Sequence, residues 1–216
     1  MIHLKSFEFS YFGTNTYVLN DDEGNALLVD PACSSPYEQR VLEVYLNPFH
    51  VRAILATHGH LDHLWGAKWA TDKWQMPVMM HEADIPMAQA MQMQYNLFGI
   101  QATPQPFPME PFPSSSLPLY GGAGGGFSFI GELGGVLLHT PGHTPGSVCF
   151  YWPEEQLLLS GDTLFNNGYG RTDLPGGNIG QLIQSLTSLC KLPAETKVYP
   201  GHGESTTIGD CARFFR

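Results

Sequence analysis

The segment Thr57–His63 reads THGHLDH, which places three histidines and one aspartate within six consecutive positions. His58 and His60 stand two apart on an extended stretch leaving a strand, and side chains two apart on extended backbone point to the same side. They can therefore share one metal ion. Asp62 and His63 fall where the chain turns toward the next helix, so their adjacent side chains diverge to a second position. Imidazole and carboxylate together suit zinc, iron or manganese. Three further groups follow: His143 in HTPGHTPGS, Asp162 in LLLSGDTLF and His202 in VYPGHGE. Each comes after an apolar run and beside Gly or Pro, at the rim of a sheet where loops build sites. Five His and two Asp exceed the needs of one ion and match two, one carboxylate being shared. Isolated surface or core histidines need no metal. That reading fits His3, His50, His81 and His139.

The elements that must carry these groups are short. Leu4–Phe9, Thr16–Leu19, Ala26–Val29, Val51–Ala56 and Val78–Met80 are apolar or aromatic runs of strand length, several of them bounded by Gly, Asn or Asp. Val41, Leu42, Val44 and Tyr45 recur at helical spacing after Pro36, and a second helix is expected over Ala67–Trp74. The Met- and Gln-rich segment Ile85–Tyr95 places Met87, Met91 and Tyr95 on one helical face, which reads as core filling. Thr103–Pro118 carries six prolines and is either an ordered surface loop or a lid. Gly121–Gly126 (GGAGGG) lacks the Lys-Ser or Lys-Thr of a phosphate loop and reads as a turn. Strands are expected to resume at Phe127–Ile130, Val136–Leu138, Val148–Tyr151 and Leu157–Leu159. A helix over Ile179–Leu189 and a strand at Val198–Tyr199 close the pattern. The order βαβα, then strands and a helix, implies helices covering a mostly β interior.

At 216 residues the chain suits one domain, residues 1–216, with 43% hydrophobic residues to bury. Ten Lys and Arg against twenty Asp and Glu give a net charge of −10, which repels phosphate backbones, so no nucleic-acid partner is expected. No apolar run approaches the ~18–20 residues of a spanning helix, and the N-terminus does not read as a signal peptide. Cys33, Cys149, Cys190 and Cys211 are widely spaced and read as reduced thiols. Together these give a cytoplasmic expectation with no membrane partner.

THGHLDH, HTPGHTPGS, GDTLF and YPGH, in that order, resemble the metallo-β-lactamase superfamily over almost the whole chain. GRTDLPGG after Asp162 and TTIG near the C-terminus are similar to strings of its single-domain glyoxalase-II-like branch. The resemblance implies an α/β (α+β) fold, a four-layer αβ/βα sandwich, with a dinuclear site at one edge. It implies that His58, His60 and His143 hold one ion, that Asp62, His63 and His202 hold the other, and that Asp162 bridges them. Asp30, in LLVDP, matches an acid that orients a ligating His.

The chemistry so implied is hydrolysis. Two divalent ions, zinc first among the candidates, lower the pKa of water from ~15.7 to about 7 and supply a bridging hydroxide that attacks a thioester such as an acyl-glutathione. Asp62 is the expected catalytic residue, as ligand and as orienter of the nucleophile. Arg171 stands where the branch has a basic glutathione contact, though an ion pair with Asp173 is an alternative use, and Tyr169 is a second candidate substrate contact. Full-length glyoxalase II adds a C-terminal helical domain that grips glutathione, whereas here the chain runs from His202 only to Arg216. Its aromatic glutathione contact two residues past the matching histidine is Glu204 here. The antibiotic-hydrolysing branches place Cys or Ser where Asp162 stands, and flavin-dependent diiron relatives place Glu where His60 stands. A mononuclear-iron persulfide dioxygenase using His58, His143 and Asp162, and a lactonase using all seven ligands, are the alternative readings. A structural metal site is expected to be closed and thiolate-rich, unlike this one.

Overall fold

A computed structural model describes residues 1–112, 125–127 and 133–215. The chain divides into two compact units, Met1–Pro111 and Phe112–Arg216.

The first unit is a six-stranded sheet in the order β1 (His3–Phe9), β2 (Thr14–Asn20), β3 (Asn25–Val29), β4 (His50–Leu55), β5 (Val78–Met80) and β6 (Met109–Pro111). β1, β2 and β3 pair antiparallel through tight turns, while β3, β4, β5 and β6 pair in parallel. Parallel neighbours need crossovers, supplied by α1 (Pro36–Leu46), by α2 (Ala67–Trp74), and by the short pair α3 (Ile85–Gln89) and α4 (Met91–Leu97). The C-terminal ends of β3, β4 and β5 therefore share one edge, and the antiparallel β2 begins at that edge.

Val18, Ala26, Leu28, Ile54, Val78 and Met80 pack with Leu42 and Leu46 of α1 and Ala67 and Ala70 of α2. Each fully buried Leu or Ile stabilises the fold by about 1.5–3 kcal/mol. Helix α1 starts at a capping box in which the Ser35 hydroxyl accepts from the Glu38 N–H while Glu38 accepts from the Ser35 N–H. Glu38 also accepts from the backbone N–H groups of Ser10 and Ser34. Burial alone would raise the Glu38 carboxyl pKa, but these hydrogen bonds outweigh it and hold the group below the ordinary value.

The second unit holds a six-stranded sheet in the order β14 (Thr206–Thr207), β13 (Lys197–Pro200), β10 (Leu157–Gly161), β9 (Val148–Trp152), β8 (Gly135–His139) and β7 (Gly125–Phe127), with a hairpin of β11 (Leu164–Phe165) and β12 (Gly168–Tyr169). β10 and β13 are parallel, and β8, β9 and β10 alternate in direction, so β8, β10 and β13 end at one edge. Helix α5 (Ile179–Leu189) buries Leu182, Leu186 and Leu189 against Tyr151, Leu158 and Val198. A short helix, α6 (Ile208–Cys211), follows β14.

The expected elements are present, with three differences. The segment Ile85–Tyr95 is two helices meeting at Ala90; Met91 and Tyr95 are buried in the core as expected, whereas Met87 is only partly buried, because the break at Ala90 interrupts the shared face. The proline-rich segment supplies β6, an edge strand where the missing Pro N–H breaks no ladder. Gly125 and Gly126 belong to β7, while residues 121–124, most of the strand expected at Phe127–Ile130 and the end of the proline-rich segment lie outside the described residues. All four cysteines are free. Among the described residues no helix is long and apolar enough to cross a membrane.

Candidate metal centre

Each unit presents its ligand-type side chains at the edge where its strands end. In the first unit, Asp30 terminates β3 in the left-handed backbone region, at φ 51°, a conformation Asp tolerates better than most residues. Its side chain bridges to the next strand's exit. Oδ1 accepts the Thr57 N–H at 2.7 Å, and Oδ2 accepts from the Thr57 hydroxyl at 2.7 Å and from His63 Nδ1 at 2.9 Å. A carboxylate only accepts, so the His63 proton sits on Nδ1 and the lone pair on Nε2, which lies 3.6 Å from Asp62 Oδ2. Asp30 thus fixes the orientation of the His63 ring.

The Thr57 hydroxyl, having given its proton to Asp30, accepts from His58 Nδ1 at 3.0 Å. His58 Nε2 then faces His60 Nδ1 at 3.1 Å. Two nitrogens bound to one tetrahedral ion at ~2.0–2.1 Å stand roughly 3.3 Å apart, so this separation fits a shared ion. His58, His60 and His63 are buried. Asp62 Oδ2 accepts from the Thr14 hydroxyl at 3.0 Å, which fixes the carboxylate from the start of β2.

In the second unit, His143 lies in the β8–β9 loop, Asp162 just past β10 and His202 just past β13. His143 Nδ1 donates to the Arg171 carbonyl at 2.7 Å, which puts the ring's lone pair on Nε2. His143 Nε2 and His202 Nε2 each stand 3.5 Å from the same oxygen, Asp162 Oδ2. That is long against the usual ~2.9 Å of a hydrogen bond and right for neighbouring ligands of an ion. The donor set therefore fits metal in both units.

Two glycines make this packing attainable. Gly142, at φ 142°, carries the backbone into His143, and a Cβ there would meet the Leu182 nitrogen at 2.3 Å. A Cβ on Gly170 would stand 1.9 Å from the Asp162 carbonyl oxygen and 3.1 Å from His143 Cβ.

A family model described as the metallo-β-lactamase superfamily matches residues 10–202, which is most of the chain and takes in all seven ligand-type residues. The chain belongs to that superfamily. The Bacillus subtilis protein "Probable metallo-hydrolase YqgX" is 35% identical, over 90% of this chain and 87% of its own. "Hydroxyacylglutathione hydrolase GloC" of Haemophilus influenzae is 34% identical, over 92% of this chain and 89% of its own. Among solved structures, the BLEG-1 B3 metallo-β-lactamase superposes with TM-score 0.82 at 31% identity, covering 96% of this chain and 95% of that one. TTHA1623 in a di-iron-bound form gives 0.80 at 32%, covering 97% and 98%. The fold is that of this superfamily.

Of the candidate substrate contacts, Tyr169 on β12 is 48% exposed. The Arg171 guanidinium is engaged by Asp173 through two bonds of 2.7 Å, which raise its pKa and hold the Asp173 carboxyl down at about 2. The alternative use foreseen for Arg171 is thus the one observed. Cys33 is buried beside Gly66, and burial pushes its thiol up to about 12. His3 pairs with Asp22, His81 caps a short 3-10 turn, and His139 bonds the Pro145 carbonyl.

Sequence reasoning did not find Asp84 and Gln94. Both are buried, and both hydrogen-bond the backbone of the THGHLDH turn. The available signal was a glutamine on the apolar face of the Met-rich helix.

Proposed function

We propose that the chain is a dinuclear metal-dependent hydrolase of the glyoxalase II type, one cytoplasmic domain over residues 1–216, acting on a thioester such as an acyl-glutathione. In this reading His58, His60 and His143 hold one ion, Asp62, His63 and His202 the other, and Asp162 both. The observation that carries it is Asp162 Oδ2, flanked at 3.5 Å by the Nε2 atoms of His143 and His202, as a carboxylate shared between two ions would be. Zinc is the first candidate, with iron and manganese served by the same donors. The di-iron form of TTHA1623 keeps iron in view.

When bound, the ions supply water activated near neutral pH and Lewis acidity at the substrate carbonyl. The chain's own residues provide the order. Asp30 and Thr57 fix which nitrogens of His63 and His58 carry protons, and the Arg171 carbonyl does the same for His143. Asp62, tethered by Thr14, presents its carboxylate to hold and orient the attacking water. Tyr169 and Arg171 are the substrate-side residues, and for Arg171 a glutathione carboxylate would displace Asp173. The relative named hydroxyacylglutathione hydrolase, at 34% identity, supports the thioester class.

Elemental analysis of the purified protein, run beside hydrolysis of S-lactoylglutathione, tests this. Two metals per chain with turnover is the expected result. Two metals without turnover would redirect the reading to another ester or a lactone. One iron per chain with oxygen uptake on glutathione persulfide would overturn it.

A further inference from the structure

The backbone around His60 is gripped from outside its own loop. Gly59 donates its N–H to Asp84 Oδ2 at 2.8 Å. The Gly59 carbonyl accepts from Gln94 Nε2 at 3.0 Å, and Gln94 Oε1 accepts the Leu61 N–H at 2.8 Å. The Gln94 amide thus acts as a strand peptide would, pairing with the carbonyl of one residue and the N–H of the second residue after it. Those two groups straddle His60. Gln94 Nε2 also reaches the Met87 carbonyl at 3.0 Å, tying the grip to α3. Close approach requires glycine at position 59, where a Cβ would lie 2.9 Å from the Asp84 carbonyl oxygen.

Burying an amide and a carboxylate is unfavourable unless their hydrogen bonds are made. Asp84 is 0% and Gln94 8% exposed, and the Gln94 amide spans the backbone on both sides of one ligand. The other half of the motif is held by different groups, His63 by Asp30 and Asp62 by Thr14.

We propose that Asp84 and Gln94 are positioning residues for His60. They set the affinity of the ion that His58 and His60 share, and leave the ion at Asp62 and His63 to Asp30 and Thr14. This rests on the two-ion reading above. A Gln94→Met change keeps the volume and removes all three amide bonds. A Gln94→Glu change keeps the acceptor for Leu61 and loses the donor to Gly59.

The test follows release of metal from the loaded proteins to a chromogenic chelator, with the visible spectrum of cobalt-loaded protein as a second readout and circular dichroism as the folding control. Wild type is expected to release two ions in separable steps. Gln94→Met should weaken one step roughly 10–100-fold and leave the other unchanged, with an altered cobalt spectrum, and Gln94→Glu should fall between them. Asp84→Asn, which preserves shape, should weaken the same step and serves if Gln94→Met does not fold. Two ions in wild type and unchanged or equally weakened steps in the variants overturn this assignment alone. Fewer than two ions in wild type overturns the two-ion reading and this assignment with it.

Discussion

Gly170 lies against the backbone of Asp162 so closely that a single added methyl carbon would stand 1.9 Å from the Asp162 carbonyl oxygen. The obstacle is main chain, so no rotamer change can relieve it. Gly170→Ala must shift Asp162, the Arg171 carbonyl that holds His143, or both. The expected outcome is a stability loss of about 1–3 kcal/mol with reduced metal content, read by thermal denaturation and elemental analysis. Wild-type metal content and melting in this variant would contradict the packing described.

Asp30→Asn should fold, because Asn matches Asp in shape and also tolerates the left-handed backbone at this position. Its single amide oxygen cannot accept both the Thr57 N–H and the His63 N–H, which the carboxylate takes on two different oxygens. Metal affinity is expected to fall roughly 10–100-fold, measured by competition with a chelator of known affinity.

Asp62→Ala removes the carboxylate that Thr14 tethers, from a loop outside the two cores. Hydrolysis should drop by about 100-fold or more while the circular dichroism spectrum is retained. An active Asp62→Ala protein would end the mechanism proposed above.

These residues differ in how far residue type alone reveals them. His58, His60, Asp62 and His63 announce themselves because few contexts other than metal binding gather those types at that spacing. His143, Asp162 and His202 are marked by an apolar run followed by Gly or Pro. Asp30 was legible only through resemblance, and its partner proved to be His63. Gln94 was hidden because a glutamine among methionines has no motif, and its role exists only through backbone groups thirty-odd positions away. The Arg171 carbonyl was hidden for the same reason, since a main-chain acceptor leaves no trace in residue type. The break at Ala90 is a local matter of helix termini, where sequence periodicity has least to say.

Thiol chemistry should separate the cysteines. Burial pushes Cys33 up to about 12 and Cys149 up to about 11, so neither forms thiolate near pH 8. Cys190, the only one of the four that is not buried, should react first with a disulfide reagent in native protein, and four thiols should react after unfolding. Rapid native labelling of Cys33 would contradict its burial.

The Arg171–Asp173 pair gives a pH prediction. Hydrogen bonds from Arg171 hold the Asp173 carboxyl down at about 2, against an ordinary 3.8. A depressed carboxyl contributes stability that is fully present above the ordinary value and lost as pH falls through the folded one. The loop should therefore stay paired at pH 3 and release below about 2, followed by the carboxyl carbon resonance of Asp173. Titration near 3.8 would mean that the pair is open in solution.

β3, β4 and β5 run in parallel, so each successive connection leaves the first sheet at the same edge and re-enters at the opposite one. Residues that hold the strands together and residues that do chemistry are thus separated along every β-to-α passage. Insertions or exchanges just after these strands would alter what the edge recognises without re-threading the sheet. In evolutionary terms, the scaffold can be inherited intact while its substrate changes, and laboratory diversification should be aimed at those exits, leaving Asp30, Asp84, Gln94 and the candidate ligands His58, His60, Asp62 and His63 fixed as the frame.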